Sequence, residues 1–167
     1  MRSRVFLIDA SIYIFRAYFS LPERWHTPQG QPLQAVYGYA RWLLDLLHRE
    51  RPTHVAVAFD ESLFSGFRHE LYPGYKANRA LPDPALAWQL RACREVSEAL
   101  GLACFGGEVY EADDYIASLA RVVVGAAGEV IIVSGDKDLG QLLEHEAVQL
   151  WDYGRSEAMT AVDFGAA

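Results

Sequence analysis

Three short apolar runs, Val5-Phe-Leu-Ile8, Val55-Ala-Val-Ala-Phe59 and Val130-Ile-Ile-Val133, constrain this chain more than any other feature. Each is the length of a buried strand and too short for a core helix. The segments between them carry helical periodicity instead. Leu33, Val36, Tyr37, Ala40, Leu43, Leu44 and Leu47 recur at three- and four-residue steps, predicting an amphipathic helix to about Arg49 that Pro52 terminates. Ser11 to Tyr18 reads as a short aromatic helix, followed by a turn-rich loop with Pro22, Pro28, Gly30 and Pro32. Pro84 suits the first turn of a helix to about Leu100 with Leu86, Leu90, Cys93, Val96 and Leu100 on its apolar face. A short strand over Leu102 to Phe105, a helix opening at Glu111 and a short helix from Asp136 to Leu143 complete the pattern. Strand and helix alternate, so the fold class expected is α/β, with a mostly parallel central sheet flanked by helices. With 167 residues, 51% of them hydrophobic, the chain suits one domain spanning 1–167.

Acids follow these strands. Asp9 and Asp60 come directly after the first two runs, Asp136 and Asp138 lie just beyond the third, and Glu111, Asp113 and Asp114 open a helix. An acid behind a strand of an open α/β sheet stands at the carboxyl edge, where such sheets bind ligands, so residues scattered in sequence should converge in space. Taken singly, each motif has a plainer reading: Glu111-Ala-Asp-Asp114 suits helix capping, and Ser134-Gly-Asp-Lys-Asp138 suits a turn. Capping does not account for acids at four edge positions together, because gathered like charges destabilise a fold unless a cation or proton compensates. All-oxygen ligands select hard ions, so Mg²⁺ or Mn²⁺ is expected, as one or two ions. Two such ions about 4 Å apart can activate a water and stabilise the leaving oxygen of a phosphodiester.

The net charge of −7 argues at first against a nucleic-acid partner. With the seven candidate ligands set aside, however, the remaining acids match the 15 Lys plus Arg in number. The stretch from residue 61 to 84 interleaves aromatics and bases without a core period and reads as a surface excursion. Within it Arg68, Lys76 and Arg79 can hold phosphates, while Phe67 or Tyr75 stacks on an unpaired base. A solvated surface is the alternative for that stretch. Arg16 and Lys137 are weaker candidates for phosphate contact.

Cys93 and Cys104 lack zinc-like spacing and are expected to be buried thiols, and the five histidines show no mutual metal spacing. Neither a signal h-region nor an apolar run approaching about 18 residues is present, so no membrane association and a cytoplasmic location are expected.

Leu7-Ile-Asp-Ala-Ser11 with Tyr13 and Arg16-Ala-Tyr18, Ala35-Val-Tyr-Gly38, Pro52-Thr-His-Val-Ala-Val-Ala-Phe-Asp60, Phe67-Arg68, Tyr75-Lys-Ala-Asn-Arg79, Glu111-Ala-Asp-Asp114 and Ser134-Gly-Asp-Lys-Asp-Leu139 together resemble the bacterial 5′-3′ exonuclease and flap endonuclease family, which includes the 5′ nuclease domain of DNA polymerase I and stand-alone homologues. The resemblance runs in order along nearly the whole chain. It implies a PIN-like core with a clamp or arch at about 61–84, cutting single-stranded 5′ ends, flaps or branches of DNA with Mg²⁺ or Mn²⁺; a monomer is expected, though no sequence feature sets the oligomeric state. It further implies that Asp9, Asp60, Glu111 and Asp113 ligate a first metal, with Asp114, Asp136 and Asp138 completing the acidic centre. Lys76 and Arg79 correspond to clamp residues at the scissile phosphate, and Arg68 and Tyr75 to substrate contacts. In that family a helix-three-turn-helix region follows and supplies further carboxylates; it is not found in these 167 residues, so a second metal cluster short of ligands is expected. Two alternatives stay open: a DNA-binding fragment with little or no cleavage, and a PIN-type ribonuclease.

Overall fold

A computed structural model describes residues 3–60, 84–107, 110–136, 139–140, 146–153 and 157–159 of the chain. The elements run β1 (Arg4–Asp9), α1 (Ala10–Ser20), α2 (Gln34–Glu50), β2 (His54–Ala58), α3 (Pro84–Ala99), β3 (Ala103–Phe105), α4 (Ala112–Gly125), β4 (Glu129–Val133), β5 (Val148–Asp152) and β6 (Glu157–Met159). The strands form one sheet in the order β3-β2-β1-β4-β5-β6, in which the first five are parallel and β6 pairs antiparallel with β5. β1 lies inside that sheet, in register with β2 on one side (Ile8 opposite Val57) and β4 on the other (Ile8 opposite Val133).

Successive side chains of a strand point to opposite faces, and here both faces are covered. Phe6, Ile8, Val57, Ile131 and Val133 pack with Ile14, Tyr39, Leu43, Leu46 and Cys93, beneath α1, α2 and α3. Val5, Leu7, Val130, Ile132 and Leu150 pack on the other face with Ile116 and Ala120 of α4. A strand with two apolar faces has no reason to alternate, which explains the unbroken runs in the sequence.

Two contacts fix the helices that approach the sheet's carboxyl edge. A Cβ at Gly38 would stand 2.6 Å from the Cβ of Ala17, so α1 and α2 cross where a side chain is missing. The amino end of α2 has Leu33 at its cap position, without a side-chain acceptor. Gln89 of α3 supplies one across the core: its Oε1 accepts from the backbone N–H of Ala35 (2.7 Å) and Val36 (3.3 Å), and its Nε2 donates to Gln34 (3.2 Å). α2 stops where expected, with Arg51 left-handed (φ 43°) and Pro52 next.

The strand pair β5 and β6 was not foreseen from the sequence. Of the helix expected over Asp136–Leu143, the described part shows one turn, in which Leu139 N–H donates to the Asp136 carbonyl (3.3 Å). Cys93 is enclosed, as expected of a buried thiol, whereas Cys104 is only half-buried; both are free. The clamp expected at about 61–84 falls, up to residue 83, outside the described residues. Among the described residues no helix is long and apolar enough to cross a membrane.

Candidate metal centre

Parallel register brings the strand ends level, and the acids come with them. Asp9 closes β1 opposite Ala58, Asp60 lies two residues beyond that partner, and Ser134 follows Val133, the partner of Ile8. Hydrogen bonds then join the ends. Ser134 Oγ donates to Asp9 Oδ2 (2.8 Å) and accepts the Asp136 backbone N–H (2.9 Å). Ser11 Oγ, in the first turn of α1, accepts the Asp60 backbone N–H (2.9 Å). Asp60 Oδ1 in turn accepts the Ala112 N–H at the start of α4 (3.4 Å), which ties the Glu-Ala-Asp-Asp motif to β2.

Within that motif the acids differ. Glu111 is the residue preceding α4 and is buried; its backbone N–H donates to Asp114 Oδ2 (3.0 Å), one half of a capping box. Asp113 belongs to the same first turn and acts on Asp9 electrostatically. Capping of α4 is thus shared between Glu111 and Asp114, while Asp113 between them bears on Asp9.

The electrostatic consequence is concentrated on Asp9. Burial pushes its carboxyl up from an ordinary 3.8 to about 7, and the nearby charges of Asp60, Asp136 and Asp113 push the same way, while the Ser134 hydrogen bond opposes them. Three of the other candidate acids thus lie within electrostatic reach of Asp9. Such a group is stabilised by a proton or by a cation, and its all-carboxylate donors suit a hard divalent ion. Among the described residues, no group of three or more His, Cys, Asp or Glu side chains is arranged to hold an ion as it stands. The carboxylate donors fit a hard divalent cation in charge and donor chemistry, and water would supply part of the coordination shell.

Arg16 borders this centre. Its guanidinium makes a two-pronged pair with Asp152 at the end of β5 (Nη1 to Oδ1 2.8 Å, Nη2 to Oδ2 3.0 Å), and Tyr13 donates to the same carboxylate (3.1 Å). A Cβ at Gly135 would collide with that guanidinium and with Ile12 Cδ1 (2.8 Å), so the acidic loop runs directly against Arg16. Sequence reasoning passed over Asp152, although an acid ending the apolar-polar alternation Val148-Gln-Leu-Trp is the same signal that Asp9 carries. It assigned no role to the two serines, although both stand in quoted motifs, Leu7-Ile-Asp-Ala-Ser11 and Ser134-Gly-Asp-Lys-Asp138. Asp138, Lys137, Phe67, Arg68, Tyr75, Lys76 and Arg79 lie outside the described residues.

A doubly covered, mainly parallel sheet with acids at its carboxyl edge defines an α/β domain. The particular family follows from comparison: residues 4–165 match the 5′-3′ exonuclease, N-terminal resolvase-like domain, and the chain belongs to that family. It is 40% identical over 146 residues to DNA polymerase I of Mycobacterium leprae (strain TN), covering 87% of this chain and 16% of that one. To DNA polymerase I of Rhizobium leguminosarum it is 43% identical over 146 residues, covering 83% and 14%. The chain therefore spans a small part of the curated relatives it matches. Among solved structures, the T5 D15 protein co-crystallised with metal ions superposes with a TM-score of 0.78 at 19% identity, over 98% of this chain and 60% of that one. The catalytic core of Rad2 in complex with DNA substrate gives 0.55 at 16% identity, over 93% and 44%. Both likenesses establish the fold.

Proposed function

We propose that this chain is a divalent-metal-dependent 5′ nuclease that hydrolyses phosphodiester bonds in DNA carrying a single-stranded 5′ end, flap or branch. The observation that carries the reading is the convergence of Asp60, Asp113 and Asp136 on a buried Asp9, whose carboxyl is raised to about 7 chiefly by burial with those charges adding to it, which makes the site one that a cation completes. Asp9, Asp60, Glu111 and Asp113 would hold a first Mg²⁺ or Mn²⁺, with Asp114, Asp136 and Asp138 as the remaining acids. When bound, such ions supply an activated water and stabilise the leaving oxygen. The chain's own part is to present carboxylates at fixed strand ends. Ser134 and Ser11 hold two of those ends through the backbone N–H groups of Asp136 and Asp60. Lys76 and Arg79 would neutralise charge at the scissile phosphate, and Arg68, Phe67, Tyr75 and Arg16 would hold the flanking strand. Membership of the family and the D15 flap endonuclease complex with DNA and metal ions, a fold neighbour at TM-score 0.62, support the same reading.

A second reading, binding of branched DNA without cleavage, is favoured by the lack of a ready three-carboxylate group among the described residues. One experiment separates the two. An end-labelled 5′-flap DNA is incubated with the chain in Mg²⁺ or Mn²⁺, beside an RNA of the same shape. Nuclease function predicts metal-dependent cleavage of the DNA that Asp113→Asn abolishes while the circular dichroism spectrum is retained. Undiminished cleavage by that variant would overturn the assignment, and retarded but uncut DNA would favour the binding reading.

A further inference from the structure

Resting on the cation site proposed above, we infer that Ser134 is a positioning residue, whose hydroxyl selects the oxygen of Asp9 that faces the cation and sets Asp136 relative to it. Ser134 is 2% exposed, and both hydrogen-bonding capacities of its hydroxyl that matter here are spent inside the acidic centre. Its single proton goes to Asp9 Oδ2 (2.8 Å) and one of its lone pairs receives the Asp136 N–H (2.9 Å). A hydroxyl has one proton, so the direction of the chain is fixed: Asp136 N–H to Ser134, and Ser134 O–H to Asp9. With one lone pair of Oδ2 engaged by Ser134, Oδ1 is the Asp9 oxygen that this hydroxyl leaves for an incoming ion.

The accepting half of this device recurs one strand over. Ser11, 4% exposed and two residues beyond Asp9, accepts the Asp60 N–H (2.9 Å), and Asp60 passes the connection to α4 through the Ala112 N–H. The carboxyl ends of β4, β1 and β2 and the start of α4 are thus joined through two buried hydroxyls. Carboxylates left to themselves would spread apart, because like charges repel. A neutral hydroxyl that donates to one acid and accepts from the backbone of the next holds them together without adding charge. Partners of this kind, one bond removed from a metal, typically change affinity by about 10- to 100-fold when lost.

The test uses the 167-residue chain and Mn²⁺ alone, with free Mn²⁺ followed by its electron paramagnetic resonance signal. Ser134→Ala is expected to weaken Mn²⁺ binding by about tenfold or more. Ser134→Thr, which keeps the hydroxyl, is expected to bind within about threefold of the natural chain on the same scale. Where Ala unfolds the protein, Ser134→Cys keeps the side-chain size while weakening both hydrogen bonds and reads out the same loss. The Mn²⁺-induced rise in the urea midpoint should fall with affinity in Ser134→Ala and return in Ser134→Thr, a pattern that a purely structural serine does not produce. Binding by folded Ser134→Ala equal to that of the natural chain overturns the inference and leaves the cation site standing. Absence of Mn²⁺ binding by the natural chain overturns both.

Discussion

Replacing Asp9 with asparagine removes the charge on which the other acids bear while keeping an acceptor for Ser134. In the folded chain the Asp9 carboxyl titrates near 7, against 3.8 for an ordinary carboxyl, because it is buried and faces Asp60, Asp136 and Asp113. Between those two values the folded state holds a proton that the unfolded state has released. Stability must then fall as pH rises through that window, being least affected below 3.8 and fully reduced above 7. At about 1.4 kcal/mol per pH unit, the loss due to Asp9 between pH 5 and pH 8 comes to about 3 kcal/mol. The assay is urea unfolding in EDTA across that range, natural chain beside Asp9→Asn. Every other titrating group is common to both, so the stability of the natural chain relative to the variant should drop with pH by up to the calculated amount. Adding Mn²⁺ at about 100 times its dissociation constant should restore about 2.7 kcal/mol at pH 8 to the natural chain, and much less to the variant. Parallel pH curves for the two proteins in EDTA would refute the electrostatic reasoning, whatever the activity of either.

Two further outcomes concern the scaffold that carries the site. Gln89→Leu leaves the Ala35 and Val36 N–H groups without their acceptor in the core and should lower stability in urea by about 1–3 kcal/mol, with the slope of the transition unchanged; an unaltered midpoint would mean that the amino end of α2 finds another cap. Gly38→Val places a branched side chain where Ala17 already stands, and thermal unfolding should show a loss of about 1–3 kcal/mol; a neutral result would mean that α1 and α2 separate at little cost.

The main strands and helices were legible because each is set by a local rule. Val5 to Ile8 and Val130 to Val133 are apolar on both faces and become the interior of the sheet, and the three- and four-residue spacing from Leu33 to Leu47 becomes α2 within a residue at its ends. β5 was missed because Val148-Gln-Leu-Trp is short and half-polar, and only pairing along β4 makes it a strand. Asp152 was missed with it, and so was the fate of Arg16. A lone arginine on an aromatic helix gives no sign in the sequence of the carboxylate, 136 residues away, that β5 brings to it.

The convergence of acids could be anticipated, because an acid behind each buried strand of a parallel sheet must reach one edge. What the anticipation lacked was the division of labour. Only the folded arrangement separates Asp114, which caps α4, from Asp113, which bears on Asp9, although the two are adjacent in sequence. Only the fold recruits Ser11 and Ser134 as the links between strand ends, and Gln89 as a cap for a helix it does not belong to. The physical reason is common to all three. Apolar periodicity and strand-following acids are written in neighbouring residues, whereas hydrogen-bond partnership and charge coupling depend on separations of a few ångströms between residues tens of positions apart, which exist only after the chain has closed on itself.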